Sequence, residues 1–320
     1  TRLISRTTQL ILDVYAREGR QFIQPVKVDG RYASTMYMLH EKKNGDFLPV
    51  TESTAVADVT LTGPWYGLQS APYRAIGLWD RLFIEAENII GSCRRGECTE
   101  ATVEEIFRRQ LRQIIATDEK MLRMGEKHLD LPGLIGIWKR TIGSGLIGGK
   151  SVGMLLAHAI LKKEFKRYEQ VIEKHDSFYI GSDIFYSFLV RNGCWNIRQK
   201  QKNPETLFED IDEAREKIMA GTFPDEVIHR FADMLDYFGQ SPLIVRSSSL
   251  LEDNFGNAFS GKYESIFCVN NAAKEERLSA FLDAVRVIYA STMSREALAY
   301  RAKKGVLEND EQMALLVQRV

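Results

Sequence analysis
Apolar residues recur at helical spacing over residues 3–18, with Leu3, Leu10, Ile11, Val14 and Tyr15 along one face, and predict an amphipathic helix there. From residue 21 to 62 the pattern changes. Val26, Val28, Tyr32, Tyr37 and Met38, then Phe47, Val50, Val56, Val59 and Leu61, sit among turn signals such as Asp29-Gly30 and Asn44-Gly45. That alternation predicts a small group of antiparallel strands. Gly63-Pro64-Trp65-Tyr66-Gly67 reads as a loop holding an aromatic plug. Helical periodicity returns over 75–90 and over 102–127, where Glu104-Glu105 precede a cluster of basic residues, as the helix dipole favours. No residue before about 130 carries recognisable chemistry, so residues 1–132 read as an accessory α/β region with solvated charges.

Pro132-Gly133 marks a domain boundary. Beyond it, Gly143, Gly145, Gly148 and Gly149 form a loop poor in Cβ atoms, followed by Lys150 and a helix from about Ser151 to Lys166. A strand is predicted at Ser177-Phe178-Tyr179-Ile180 and a helix over 182–191, with Ser182 or Asp183 as its cap. A polar loop follows, then a helix started by Pro204-Glu205 and stopped at Gly221, and another from Pro224-Asp225 to Gly239. Leu243-Ile244-Val245 is a short apolar run of the buried-strand kind, ending on Arg246 and the hydroxyl row Ser247, Ser248 and Ser249. Gly256 and Gly261 then break the chain into a hairpin. Residues 274–304 read as one long or two abutting helices with a fresh start at Ser294, and Met313 to Val320 read as a strand.

Two of these stretches suit an anion. A glycine loop feeding a helix N-terminus presents backbone N–H groups and a positive dipole end, to which Lys150 adds a point charge. A strand delivering Arg246 beside three serines offers a planar guanidinium fork and short donors. Taken singly, each stretch also fits a plain helix entry or a solvated strand end. The P-loop pattern fails, because its first glycine falls at Ser144 and Leu134-Ile135-Gly136-Ile137 makes a poor buried strand before it. His158 lies mid-helix, without a preceding hydroxyl residue, and reads as an ordinary core or surface histidine.

Composition narrows the classes further. At 44% hydrophobic and 27% charged, the 320 residues can bury a sizeable core. With 43 basic and 43 acidic residues, the formal net charge is zero and gives no general pull towards nucleic acid or an anionic membrane. No apolar run approaches the roughly 20 residues of a membrane span, and the charged first 20 residues do not read as a signal peptide. Cys93, Cys98, Cys194 and Cys268 do not read as a disulfide framework, so a reducing cytoplasm is the default. Cys93 and Cys98 with nearby His128 lack a second ligand pair for a metal. A chain that begins at Thr1 and stops inside an apolar run reads as a piece of a longer protein.

Three stretches in order carry a resemblance: Gly148-Gly149-Lys150-x-x-Gly153; Leu243 to Ser249 with Glu252-Asp253, Phe255-Gly256 and Gly261-Lys262-Tyr263; and Val317-Gln318. Together they resemble the nucleotide-binding domain of the phosphoenolpyruvate synthase and pyruvate, phosphate dikinase family over about residues 133–320. The resemblance implies the N-terminal part of an ATP-grasp-type α+β domain. It implies ATP phosphates at Gly148, Gly149, Lys150, Arg246 and Ser247–Ser249, with Lys150 and Arg246 carrying the catalytic charge, and adenine at Gln318 and Val320. A hairpin over Asp253 to Lys262 would act as a lid. In the family, ATP donates its β,γ-diphosphoryl group to a histidine on a mobile domain, and thence to pyruvate on a barrel domain. Those domains would be partners within the same parent chain, and the Mg²⁺ ligands would lie beyond residue 320. The fragment alone would then be inactive. Two alternatives stay open: a non-catalytic regulatory module on a decayed ATP-grasp scaffold, and a dikinase or phosphotransferase of the same family with another acceptor.

Overall fold
Strand pairing decides the first element against the helical reading. The computed structural model describes residues 10–17, 20–28, 38–43, 45–50, 78–115, 119–165, 176–249, 253–254, 257–258, 261–309 and 312–320. Within these, residues 10–17 form not a helix but strand β1 (Leu10–Arg17), paired antiparallel with β2 (Arg20–Val28) from Leu10↔Val28 to Arg17↔Arg20. The spacing of Leu10, Ile11, Val14 and Tyr15 suits a helix, Leu10, Leu12 and Val14 also share one strand face, and cross-strand pairing settles the choice. β3 (His40–Lys43) and β4 (Asp46–Pro49) complete an antiparallel sheet of order β1-β2-β3-β4. Phe22 and Leu39 form its small core, with Tyr15 and Val50 packed against them. The strands predicted over 51–62 and the aromatic loop at 63–67 lie outside the described residues.

The chain divides into two compact units, residues 1–82 and 83–320. The expected boundary at Pro132-Gly133 falls inside the second unit. Helix α1 (Leu78–Arg94) spans the point of division. The helix predicted over 102–127 is two helices, α2 (Glu100–Ile114) and α3 (Glu119–His128). Thr99 caps α2 by accepting the Thr102 amide N–H. Pro132-Gly133 opens α4 (Leu131–Trp138), where Asp130 caps the Gly133 amide at 2.8 Å. The apolar run Leu134–Ile137 is therefore helical. Trp138 stacks on Phe83 at 4.6 Å between ring centroids. α3 lies close on α2, since a Cβ at Gly125 would stand 2.8 Å from Leu111.

A five-stranded sheet of order β10-β7-β11-β6-β5 organises the second unit. Its strands are β5 (Thr141–Ile142), β6 (Ser177–Ile180), β7 (Leu243–Ser249), β10 (Ser265–Cys268) and β11 (Met313–Arg319). β5 and β6 run parallel; the other three pairings are antiparallel. The apolar runs of β6 and β11 do not alternate with polar residues because both faces of the sheet are covered. Met313, Leu315 and Val317 enter one core cluster, with Phe185, Phe231, Phe281 and Tyr289. Leu316 and Tyr179 enter the other, with Leu111, Leu134 and Leu156. Burying a core side chain of this size stabilises by about 1.5–3 kcal/mol, so the two-faced β11 is a main anchor of the unit.

The remaining helices are α5 (Gly149–Glu164), α6 (Ser182–Arg191), α7 (Trp195–Lys200), α8 (Ile211–Met219), α9 (Asp225–Phe238), α10 (Lys274–Ser291) and α11 (Arg295–Lys303). Four local expectations change. The polar stretch from 196 is largely helical in α7, and α8 starts at Ile211 rather than at Pro204. Gly181 stands at the cap of α6, not Ser182 or Asp183. β7 continues through Ser249 because Ser247 and Ser248 pair with Leu315 and Ala314 of β11. The helices α10 and α11 abut, with Ser294 capping the Ala297 amide as the sequence predicts. The hairpin places β8 (Asp253–Asn254) antiparallel to β9 (Asn257–Ala258).

Cys93 and Cys98 form a disulfide, whereas Cys194 and Cys268 are buried free thiols. The end of α1 and the turn at Gly96, φ +77°, bring the two Cα atoms to 4.8 Å. This pairing overturns the reading of unpaired cysteines and occupies both thiols of the weak metal candidate. Among the described residues, no helix is long and apolar enough to cross a membrane.

Candidate functional site
The glycine loop of residues 143–148 links β5 to α5 and is held from two sides. On one side stands Asp183. It accepts the amide N–H groups of Ser144 at 2.9 Å and Gly145 at 2.8 Å, and the Ser144 hydroxyl at 3.1 Å. Burial pushes its carboxyl above the usual range, while the loop N–H groups pull the other way. The residue that looked like a helix cap is thus spent on the loop.

Ser248 holds the other side. Its hydroxyl donates to Ile147 O at 2.9 Å and accepts the Ser151 amide N–H at 3.1 Å. Its single proton is used, so the 3.1 Å contact between the Ser151 and Ser248 hydroxyls has Ser151 as donor. Gly148 passes directly over this strand with φ +80°, and a Cβ there would lie 1.5 Å from Ser248 O. Glycine is required at Gly148 by both conformation and space.

This clamp aims the N-terminus of α5 into a cleft of about 720 Å³. Gly149 and Lys150 line it, together with Arg246 of β7 and Gln318 of β11. The Lys150 ammonium donates to Ser247 Oγ at 3.0 Å, and the Arg246 guanidinium reaches Gln318 Oε1 at 3.5 Å. The Gln318 amide nitrogen points to Met154 Sδ at 3.3 Å and Ser177 Oγ at 3.4 Å. Leu316 pairs with Arg246 across the ladder, which puts Arg246, Leu316 and Gln318 along the cleft face of the sheet. The rest of the lining includes the apolar Met121, Met124, Met154, Leu156, Ala157 and Ile160, with Met154 meeting Gln318.

The sequence-derived candidates therefore separate. Gly149, Lys150, Arg246 and Gln318 meet in the cleft. Gly148, Ser247 and Ser248 lie behind it; Ser247 to Ser249 are all fully buried, and Ser248 serves the loop itself. Val320 is 66% exposed, is not a lining residue, and donates its N–H to Pro242 O at 3.0 Å. His158 on α5 is not a lining residue either. The β8 backbone approaches α5. Sequence reasoning missed Met121, Met124, Met154 and Asp183. Only the i, i+3 spacing of Met121 and Met124 hinted that these two share a helix face.

A lysine at a helix N-terminus and a guanidinium on a facing strand bind an anion electrostatically, and a cleft of this volume has the capacity of a small-molecule site. Among the described residues no group of three or more His, Cys, Asp or Glu is placed to hold a metal ion. One family model, described as the AMP/ATP-binding domain of pyruvate phosphate dikinase, matches residues 144–320, more than half of the chain. The match begins inside the glycine loop and ends at the last residue of the sequence.

Proposed function
Because this chain belongs to the pyruvate phosphate dikinase AMP/ATP-binding family, we propose that it is the nucleotide-holding portion of a phosphoenolpyruvate synthase-like phosphotransferase. The single observation that carries the reading is the convergence of Lys150 and Arg246 on one cleft from different elements. ATP supplies the β,γ-diphosphoryl group that passes to a histidine on a separate domain and then to pyruvate. The chain's own residues bind and position. Lys150 sets a charge at the positive end of α5, and Arg246 offers a fork from the sheet. Fixed cations aimed at the phosphates are most of what phosphoryl transfer asks of a protein. Asp183 and Ser248 keep the loop in place without touching the phosphates. The strand pair Asp253–Asn254 and Asn257–Ala258 would form part of a lid above them. Mg²⁺ bound with the nucleotide would neutralise charge on the phosphates.

The test is ATP binding to the full chain by calorimetry, beside Lys150→Ala and Arg246→Ala. Each substitution is expected to weaken ATP by more than about tenfold, or roughly 1.4 kcal/mol. Unchanged affinity in both variants, or no ATP binding by the unsubstituted protein, overturns the reading.

A further inference from the structure
The apolar lining of the cleft has an origin that the family match does not cover. Met121 and Met124 belong to α3, Glu119–His128, which ends well before residue 144. Both line the cleft. Both are half-buried and pack on the core cluster that also takes in Val152 and Leu156 of α5 and Leu316 of β11. α3 itself packs along α5, so its methionines stand across from the helix that carries Lys150 at its start.

The cleft is therefore amphipathic. Lys150, Arg246 and Gln318 supply its charged and polar lining; most of the rest is thioether and aliphatic, with Met154 at the junction beside Gln318. A ligand matching both parts pairs an anionic chain with a flat apolar ring system. Thioethers suit the ring part, since sulfur is polarizable, the side chain adapts its shape, and contact with an aromatic face is favourable. They have no strong hydrogen-bond donors or acceptors, so they read area and flatness rather than the edge of the ring.

We propose that α3 forms the base-side wall of the nucleotide site, and that Met121 and Met124 determine its preference for a large, flat heterocycle. The proposal rests on the nucleotide reading above. It adds that a segment outside the matched residues belongs to the binding site, and that it acts on the base alone. A purine covers more of this wall than a pyrimidine does, so ATP is favoured over CTP through contact area.

The experiment separates base from phosphates. Calorimetry on the full chain compares ATP, CTP and inorganic tripolyphosphate for the unsubstituted protein, Met121→Ala/Met124→Ala, Met121→Leu/Met124→Leu and Lys150→Ala. The alanine pair is expected to weaken ATP about tenfold, leave tripolyphosphate within about twofold, and narrow the ATP-to-CTP ratio. The leucine pair, which keeps the bulk, is expected to stay near the unsubstituted protein. Lys150→Ala weakens ATP and tripolyphosphate together. If Lys150→Ala weakens ATP and the alanine pair does not, the wall proposal falls and the nucleotide reading stands. If the alanine pair weakens tripolyphosphate as much as ATP, α3 acts on the loop and the proposal is overturned. If the unsubstituted protein binds no ATP, both readings fail.

Should the alanine pair not fold, methionine oxidation in the unsubstituted protein gives the same decision. ATP is expected to slow sulfoxide formation at Met121 and Met124, and tripolyphosphate is not. Equal protection, or none, by the two ligands overturns the proposal.

Discussion

Ser248 stands beneath the first turn of α5, donating its hydroxyl proton to Ile147 O and receiving the amide N–H of Ser151, a residue 97 positions away. A strand hydroxyl thus caps a helix whose own N-cap residue, Gly148, has no side chain to do so.

Ser248→Ala strands Ile147 O and the Ser151 hydroxyl in a buried site. The loss is expected to be about 1–3 kcal/mol of folding stability, the usual cost of unsatisfied buried polar groups. Denaturant unfolding measures it, and a loss below about 0.5 kcal/mol would show that the clamp is not energetically important. Because the clamp aims the helix N-terminus, ATP affinity is expected to fall in the same variant.

Gly148→Ala has no accommodating rearrangement of a flexible side chain available. The new Cβ meets the backbone carbonyl of Ser248, and φ +80° disfavours any L side chain. The loop must lift from β7. Loss of ATP binding with retained secondary structure by circular dichroism is the expected result. Full binding by the variant would show that the loop closes in another way.

Asp176, just before β6, is expected to contribute to the acid limb of stability. Arg140 contacts it at 2.5 Å, Tyr237 donates to it at 3.0 Å, and Arg319 donates at 3.1 Å. Burial alone would raise its carboxyl, but the hydrogen bonds from Arg140 and Tyr237 and the two guanidinium charges outweigh that and hold it below the usual range. A depressed folded-state value means the unfolded chain binds the proton more tightly. The stabilisation is full above the ordinary carboxylate value of about 4 and is lost as pH falls through the lower folded value. Asp176→Asn is expected to lower stability at pH 7 and to flatten its dependence on pH below about 4. An unchanged acid limb in the variant would assign that limb to other carboxylates.

Much of the site is legible in local pattern. Glycines before Lys150 announce a helix entry, because few other residues take such a backbone. Leu243-Ile244-Val245 and Met313 to Val317 announce buried strands by continuous apolarity. Arg246 at the end of such a run marks a charge delivered from a sheet. These are properties of neighbours in sequence, and neighbours in sequence are what a pattern records.

Tertiary structure decided the rest. Residues 10–17 satisfy two periods, and only pairing with β2 made them a strand. Asp183 is placed like a helix cap and became a loop clamp because the Ser144 and Gly145 amides reach it across 39 and 38 positions. Ser247 to Ser249 read as open hydroxyls, yet the β11 pairing buries them. Met121 and Met124 gain meaning only when α3 packs on α5. From the sequence alone come the chemical types and their order: the glycine loop, the lysine, the guanidinium strand, and the family they resemble. Which of them face one another depends on long-range packing and strand register, and no local propensity encodes those.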